Sequence, residues 1–249
     1  MINANYIPSH EEMADRKILI TGATSGIGRA LSLKLSHYPC KLILLGRSSL
    51  KLNELKAVCD GNLAEIQTIK LDLLYAKGDD YQSAIDKISS IYSSIDCILH
   101  NAAILGDRSP IEHYDIGVWQ QVIHINVTST FILTRCLLPL LKKGNLPSIT
   151  FTSSGVGIRG KSFWGAYSVS KFAIEGLSQI LCDELKNTNI RVNTINPGPT
   201  NTNMRAKAYP AENKESIKGP DEVLSPYLYL LSPESKNING VRYDVQKST

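Results

Sequence analysis

The chain has 249 residues, 43% of them hydrophobic and 20% charged, with a formal net charge of +4. That balance excludes a disordered or collagen-like chain, and at this length one large α/β unit is natural without disulfide or metal staples. Its basic residues form no long run, which argues against a dedicated nucleic-acid binder.

Residues 1–16, MINANYIPSHEEMADR, carry acids and no apolar stretch, so no export signal is expected there. Lys17–Thr21 then predicts a strand, and Ile27–Ser36 a helix with Ile27, Ala30, Leu31 and Leu35 on one face. A strand at Lys41–Gly46, a helix at Leu50–Val58 and a strand at Glu65–Leu71 follow, then a helix at Tyr81–Tyr92 and a strand at Asp96–Asn101. Trp119–Leu141 reads as one long helix; its apolar part, Phe131–Leu141, contains Arg135 and Pro139 and is expected to fall short of a membrane span. Beyond it come a strand at Ser148–Ser153, a helix at Tyr167–Leu185 and a strand at Ile190–Ile195. The polar segment 201–220, with Pro210, Gly219 and Pro220, is expected to be an irregular lid or binding loop. A helix at Asp221–Leu231 and a strand at Val241–Val245 close the chain. This alternation predicts a single Rossmann-type doubly wound α/β domain over residues 1–249, with a seven-stranded, mostly parallel sheet and helices on both faces.

Cys40, Cys59, Cys97, Cys136 and Cys182 form no CxxC, and the five histidines form no HExxH, so neither a disulfide framework nor a metal site is expected. Cytoplasm is the expected compartment, with no membrane partner. Cys97 and Cys136 read as small core residues, and His113 and His124 as surface or helix-packing residues.

Thr21–Gly28, TGATSGIG, sits between a predicted strand and a predicted helix. Such a turn lets the backbone approach a pyrophosphate at the positive end of the helix, although a plain strand-to-helix turn has the same glycines. Gly155–Gly160, GVGIRG, matches GxGxxG more closely but leads into no helix start, and reads instead as a flexible wall near a site. The second strand ends Leu45-Gly46-Arg47-Ser48 with no acid to hold ribose hydroxyls. Arg47 suits a 2′-phosphate, so NADP is expected over NAD, unless Arg47 is merely a solvated loop residue.

Tyr167 and Lys171 stand four apart on a predicted helix and share one face. A nearby ammonium is expected to pull the phenol pKa down from about 10 and make it a proton donor for a carbonyl. YxxxK alone is weak; Tyr243 and Lys247 repeat it on the terminal strand. The first copy has company. Ser154, Asn101, the glycine turn and Pro197-Gly198-Pro199 all fall at the carboxyl ends of predicted strands, where chemistry collects in parallel sheets. Trp164, Phe163 and Met204 are placed either to wall a substrate pocket or to pack within the lid.

Together these residues resemble the classical short-chain dehydrogenase/reductase family from Lys17 to about Val245. The motifs are Thr21–Gly28, His100-Asn101-Ala102-Ala103, Asn126, Ser154, Tyr167 with Lys171, and Pro197-Gly198. The stretches LILLGR, FTSSGVG, WGAYSVSKFAIEG and RVNTINPG look closest to its YciK-like bacterial subgroup. The resemblance implies an oxidoreductase interconverting a carbonyl and a secondary alcohol, with NADP preferred and a small-molecule substrate. Its catalytic residues would be Asn126, Ser154, Tyr167 and Lys171. Tyr167 would act as acid–base, Lys171 would tune it and hold the nicotinamide ribose, Ser154 would polarise the substrate oxygen, and Asn126 would hold a relay water. Cofactor contacts would come from Gly22, Thr24, Ser25, Gly26, Ile27, Gly28 and Arg47. Asp72 and Leu73 would serve the adenine, and Asn101, Ala102 and Ala103 its ribose. Pro197, Gly198, Thr200, Thr202 and Ile195 would serve the nicotinamide and pyrophosphate.

Departures from the family pattern are His100 and Ala103 in NNAG, Thr200 for Val or Ile, and a last strand without the terminal Asp-Gly-Gly. A homodimer or a homotetramer is expected, and because that ending often takes part in subunit contacts its absence makes the tetramer less safe to assume than the dimer. The competing function is a cofactor-binding sensor or scaffold without turnover, since a fold does not guarantee its chemistry.

Overall fold

A computed structural model describes residues 5–246. Lys247 of the second YxxxK lies outside the described residues; its Tyr243 sits on the last strand. The elements run α1 (His10–Met13), β1 (Lys17–Thr21), α2 (Gly26–Ser36), β2 (Lys41–Gly46), α3 (Ser49–Val58), β3 (Glu65–Lys70), α4 (Gly78–Ile91) and β4 (Cys97–His100). They continue through α5 (Ile116–Ile123), α6 (Ser129–Leu141), β5 (Ser148–Thr152), α7 (Gly165–Glu184), β6 (Arg191–Asn196), α8 (Asn203–Ala208), α9 (Ser225–Leu231) and β7 (Arg242–Asp244). The strands form one sheet in the order β3-β2-β1-β4-β5-β6-β7, and every pairing is parallel. This is the Rossmann-like architecture, and its strand order reverses between β1 and β4, where a crevice opens at the carboxyl ends.

Apolar residues cover both faces of the sheet because the strand period is two. Ile18 and Ile20 of β1, with Leu42 and Leu44 of β2, join the core that α2 and α9 close through Leu31, Leu35 and Tyr227. Leu19, Ile43 and Leu45 point the other way, into a core built with Ile85 and Ile88 of α4, Leu133 and Leu137 of α6, and Ile174 of α7. Strands this apolar on both sides have no solvent face, which is why they read as continuous greasy runs.

Three expectations change. The long helix is not uniform: it starts at Ile116, where the Asp115 carboxylate accepts the Val118 N–H at 2.7 Å, and it widens to a π-turn over His124–Thr128. Ile116–Leu141 is therefore one helical run of 26 residues, long and apolar enough by length and composition to cross a membrane. Here its inward side carries Leu133, Leu137, Leu140 and Leu141 into the core. The segment 201–220 is not wholly irregular: Thr202 caps α8 by accepting the Arg205 N–H at 3.2 Å, and Lys214–Ser216 forms a 3₁₀ turn. The helix expected at Asp221–Leu231 splits into a 3₁₀ turn, Pro220–Val223, and α9, which carries Pro226 near its start.

Phe151 on β5 is fully buried and stacks on the His100 ring, with centroids 5.0 Å apart and planes 10° apart. Truncating it leaves a cavity between two strands and α7. Phe151→Ala is expected to lower unfolding free energy by about 3–5 kcal/mol, read as a fall in the urea midpoint at constant slope.

Candidate active site

A cleft of about 610 Å³ runs along the carboxyl ends of the strands, from the β1–α2 turn to the segment around α8. Its first end is backbone. Gly22 has φ +65°, a region open to glycine, and a Cβ there would lie 2.9 Å from the Ala102 Cα. A Cβ on Gly28 would lie 2.4 Å from the Gly22 carbonyl oxygen. The turn is thus closed to side chains, and α2 starts at Gly26 with Ser25 at its N-cap making no capping bond. Free helix N–H groups and a narrow glycine floor suit an anion such as a pyrophosphate. Thr24, Ser25, Gly26 and Ile27 line the cleft with Gly22; Gly28 does not, because it packs beneath the turn.

Arg47 stands exposed at the rim just past β2. Asp72 and Leu73 line the same end, and the Asp72 carboxylate accepts the Leu74 N–H at 3.0 Å. Thr21, the last residue of β1, organises the middle. Its hydroxyl accepts the N–H groups of Asn101 and Ala102, each at 3.0 Å, and so folds the end of β4 toward the glycines. Asn101, Ala102 and Ala103 line the cleft as a result. His100, one residue earlier, does not: it is buried against Thr134 Oγ1 at 2.9 Å, and burial lowers its pKa to about 3. It is a neutral core imidazole.

The other end of the cleft lies on β5 and α7. Tyr167 and Lys171 are both buried and one helical turn apart, with the ammonium 5.5 Å from the centroid of the phenol ring. Lys171 Nζ donates to the Thr152 carbonyl oxygen at 2.7 Å. Ser154 follows β5 and lines the same cleft as Tyr167; its hydroxyl oxygen accepts the Val156 N–H at 3.4 Å. Burial pushes the phenol up to about 12, with the nearby Ser154 hydroxyl acting in the opposite direction. Burial also lowers Lys171 to about 8, and the charge of Glu175 opposes that fall. The phenol thus stands above its ordinary value and not below it as expected, because burial, which disfavours the charged form, is the dominant influence on it. The phenol is held neutral, which is the form that can donate a proton.

Asn126 sits behind this pair and does not line the cleft. Its amide accepts the Ile104 N–H at 2.9 Å and donates to the Ile104 carbonyl and to Ser170 Oγ, each at 3.0 Å. Ser170 in turn donates to the Tyr167 carbonyl at 2.7 Å. The π-turn brings Asn126 to this position, as π-turns commonly do at functional sites. Pro197, Gly198, Thr200 and Thr202 line the far wall, whereas Ile195 is fully buried in the core on the α2 face. A strand residue facing that core cannot also face the cleft.

Of the glycines after Ser154, Gly157 is packed tightly against α7, whereas Gly160 has open space around it. Gly155 lines the cleft, and a Cβ on Gly157 would stand 2.9 Å from the Lys171 Cβ. Beyond them Leu105, Trp164 and Ala208 pack with Tyr167, joined by Met204 and Tyr209. Phe163 is outside this wall: it is half exposed at φ +69°. Its carbonyl accepts Arg108 Nε at 3.2 Å, while Arg108 Nη1 donates to the Ala208 carbonyl at 2.5 Å. The same guanidinium lies 4.5 Å from the Trp164 ring centroid, tying α8 to the loop after β4.

Sequence reasoning missed Ser170, Glu175 and Arg108 as site-building residues, and had Thr21 only as the first residue of the glycine motif, without the role of its hydroxyl. Glu175 was within reach, since it extends the four-residue step of Tyr167 and Lys171 along one helix face. The others act through contacts 44 to 100 residues away in the chain, with no local signal.

The short chain dehydrogenase family model matches residues 16–213. The chain belongs to the short-chain dehydrogenase/reductase family. Its relatives include the Uncharacterized oxidoreductase YciK of Escherichia coli (strain K12), 41% identical over 97% of this chain and 96% of that protein. The solved structure of the E. coli yciK oxidoreductase superposes with a TM-score of 0.94 at 41% identity, covering 98% of this chain and 100% of that one. A short chain dehydrogenase of E. coli CFT073, solved in complex with NADPH, has a TM-score of 0.93 at 42% identity, covering 96% and 100%. Members of this family are oxidoreductases acting on small molecules, and the chain shares the YciK-like branch.

The buried lysine has a measurable cost. Its pKa is below that of an exposed lysine, so between pH 8 and 10.5 the unfolded chain binds more protons and wild-type stability rises with pH. Below pH 8 the penalty is complete. Lys171→Met lacks this titration, so wild-type stability should rise relative to the variant by about 3 kcal/mol from pH 7.5 to 10.5. Denaturant unfolding of both proteins across that range checks it; a constant difference contradicts the buried ammonium.

Proposed function

We propose that the protein is an NADP-dependent oxidoreductase that interconverts a carbonyl and a secondary alcohol. The observation that carries this reading is that the buried Tyr167 phenol, the Ser154 hydroxyl and the buried Lys171 ammonium line the same cleft as the glycine turn.

A nicotinamide dinucleotide suits the residues present. The glycine floor has no room for a Cβ, the N-terminus of α2 is uncapped, and Arg47 replaces the acid that would favour an unphosphorylated ribose. Gly22, Thr24, Ser25, Gly26 and Ile27 would hold the pyrophosphate side, with Gly28 allowing their close approach. Arg47 would hold the 2′-phosphate, Asp72, Leu73 and Asn101 to Ala103 the adenosine side, and Lys171, Pro197, Gly198, Thr200 and Thr202 the nicotinamide side. The bound cofactor supplies or accepts the hydride. The NADPH complex of the CFT073 relative supports the same choice here.

During reduction Tyr167 donates its proton to the carbonyl oxygen, and Ser154 donates a hydrogen bond to that oxygen and orients it. As the phenol gives up its proton, the Lys171 ammonium stabilises the negative charge left on the ring oxygen. Asn126 keeps the pair in place through Ile104 and Ser170, and the relay expected of it belongs to this proposal. The substrate body would lie against Leu105, Val156, Trp164, Met204 and Tyr209, an apolar wall, with segment 201–220 as its lid. A single domain, a cytoplasmic setting and a homo-oligomeric assembly complete the reading, each resting on the sequence.

Two outcomes are expected. Tyr167→Phe should reduce kcat/KM for NADPH-dependent reduction of a responsive ketone or aldehyde by about 10²- to 10⁴-fold while NADPH still binds. Wild-type turnover in that variant rejects the mechanism, and NADPH binding without turnover by the wild type on a broad panel favours the sensor. Arg47→Ala should cut the preference for NADPH over NADH by about 10- to 100-fold, read from thermal shifts and dissociation constants of the two.

A further inference from the structure

Behind Ser154 lies a charged cluster that the proposed chemistry does not use. Glu175 is on the same face of α7 as Tyr167 and Lys171, and it is buried. Its carboxylate accepts hydrogen bonds from the Ser153 hydroxyl, from Thr194 Oγ1 at 2.9 Å and from Arg242 Nε at 3.0 Å. Arg242 comes from β7 at the far edge of the sheet, and its guanidinium is mostly shielded. Its second nitrogen, Nη2, donates to the Ser154 carbonyl oxygen at 3.3 Å. Its third, Nη1, pairs with Asp244. Asp244 accepts from Asn196 Nδ2 at 2.6 Å, and Asn196 Oδ1 accepts the Gly198 N–H at 3.1 Å.

We propose that Arg242, anchored by Glu175, is a positioning residue that fixes the Ser154 backbone and couples it to the Pro197–Pro199 turn. The inference rests on the functional reading above, because it assigns Ser154 to the substrate oxygen. The geometry is specific. Glu175 holds the side chain of Ser153 and Arg242 holds the carbonyl of Ser154, so the backbone on both sides of the serine Cα is restrained. The Ser154 hydroxyl oxygen, which accepts the Val156 N–H at 3.4 Å, is thereby held at the cleft that Tyr167 also lines. A guanidinium is required for this, since its planar fork can meet the Glu175 carboxylate, the Ser154 carbonyl and Asp244 at once, whereas an ammonium can reach Glu175 but has no fixed fork for the rest. The last strand, which lacks the family's usual ending, would thereby serve the active site from behind.

The test compares wild type with Arg242→Lys and Arg242→Met. Steady-state reduction with NADPH is measured on a responsive carbonyl, with NADPH affinity, thermal stability and amide hydrogen exchange alongside. Arg242→Lys should keep the Glu175 pair, the wild-type melting temperature and wild-type NADPH affinity, yet lose about 10- to 100-fold in kcat with KM unchanged. Amides of residues 155–157 should exchange about tenfold faster while those of β1 and β2 keep their protection. Arg242→Met should show the same kinetic loss with lower stability; if it fails to fold, the lysine variant decides. Wild-type kcat in the lysine variant, or unchanged exchange at 155–157, overturns the proposal. If the wild type reduces nothing on the panel, the functional reading fails, and the exchange result alone decides whether Arg242 restrains the serine segment.

Discussion

Everything at the chemical end depends on one ammonium kept out of water. Lys171 Nζ donates a hydrogen bond to the Thr152 carbonyl oxygen, which fastens the middle of α7 to the end of β5. That bond ties the helix that carries Tyr167 to the strand that precedes Ser154. Burial then acts on both titrating groups in the direction that favours neutrality, raising the phenol and lowering the lysine. A carbonyl bond and the nearby Glu175 are what make a cation tolerable there.

Sheet order decides what this pair can meet. With β1 and β4 adjacent and their connections leaving in opposite directions, the strand ends diverge and leave a groove between the flanking helices. Thr21 bridges that divergence with one hydroxyl, drawing Asn101 and Ala102 over the glycine turn. Glycine is needed at Gly28 because the backbone of Gly22 passes where a methyl would be. The groove therefore has a narrow, backbone-lined half and a wider, side-chain-lined half, and Ser154, Tyr167 and Lys171 line it together with both.

The wider half is closed by aromatic and cationic side chains instead of a rigid element. Arg108 holds the carbonyls of Phe163 and Ala208 and lies over Trp164, so a loop after β4, the start of α7 and the end of α8 share one clasp. Such contacts order a short helix like α8 through few residues.

Much of this was readable from residue order. Greasy strands separated by amphipathic helices leave only a two-faced parallel sheet, because every strand must be covered on both sides, and the spacing of Tyr167 and Lys171 puts them on one helix face whatever surrounds them. The positions of Ser154, Arg47 and the glycines at strand ends follow from the same local periodicity. Protonation states did not follow: the phenol moves up, not down, since desolvation depends on what packs around Tyr167 and not on its neighbour four residues on. Nor did the widened turn at Asn126, the inward burial of Ile195, or the link from Arg242 to Ser154 across 88 residues. Local pattern determines which face a side chain occupies; only the folded chain decides how much water it keeps and which distant partner it finds.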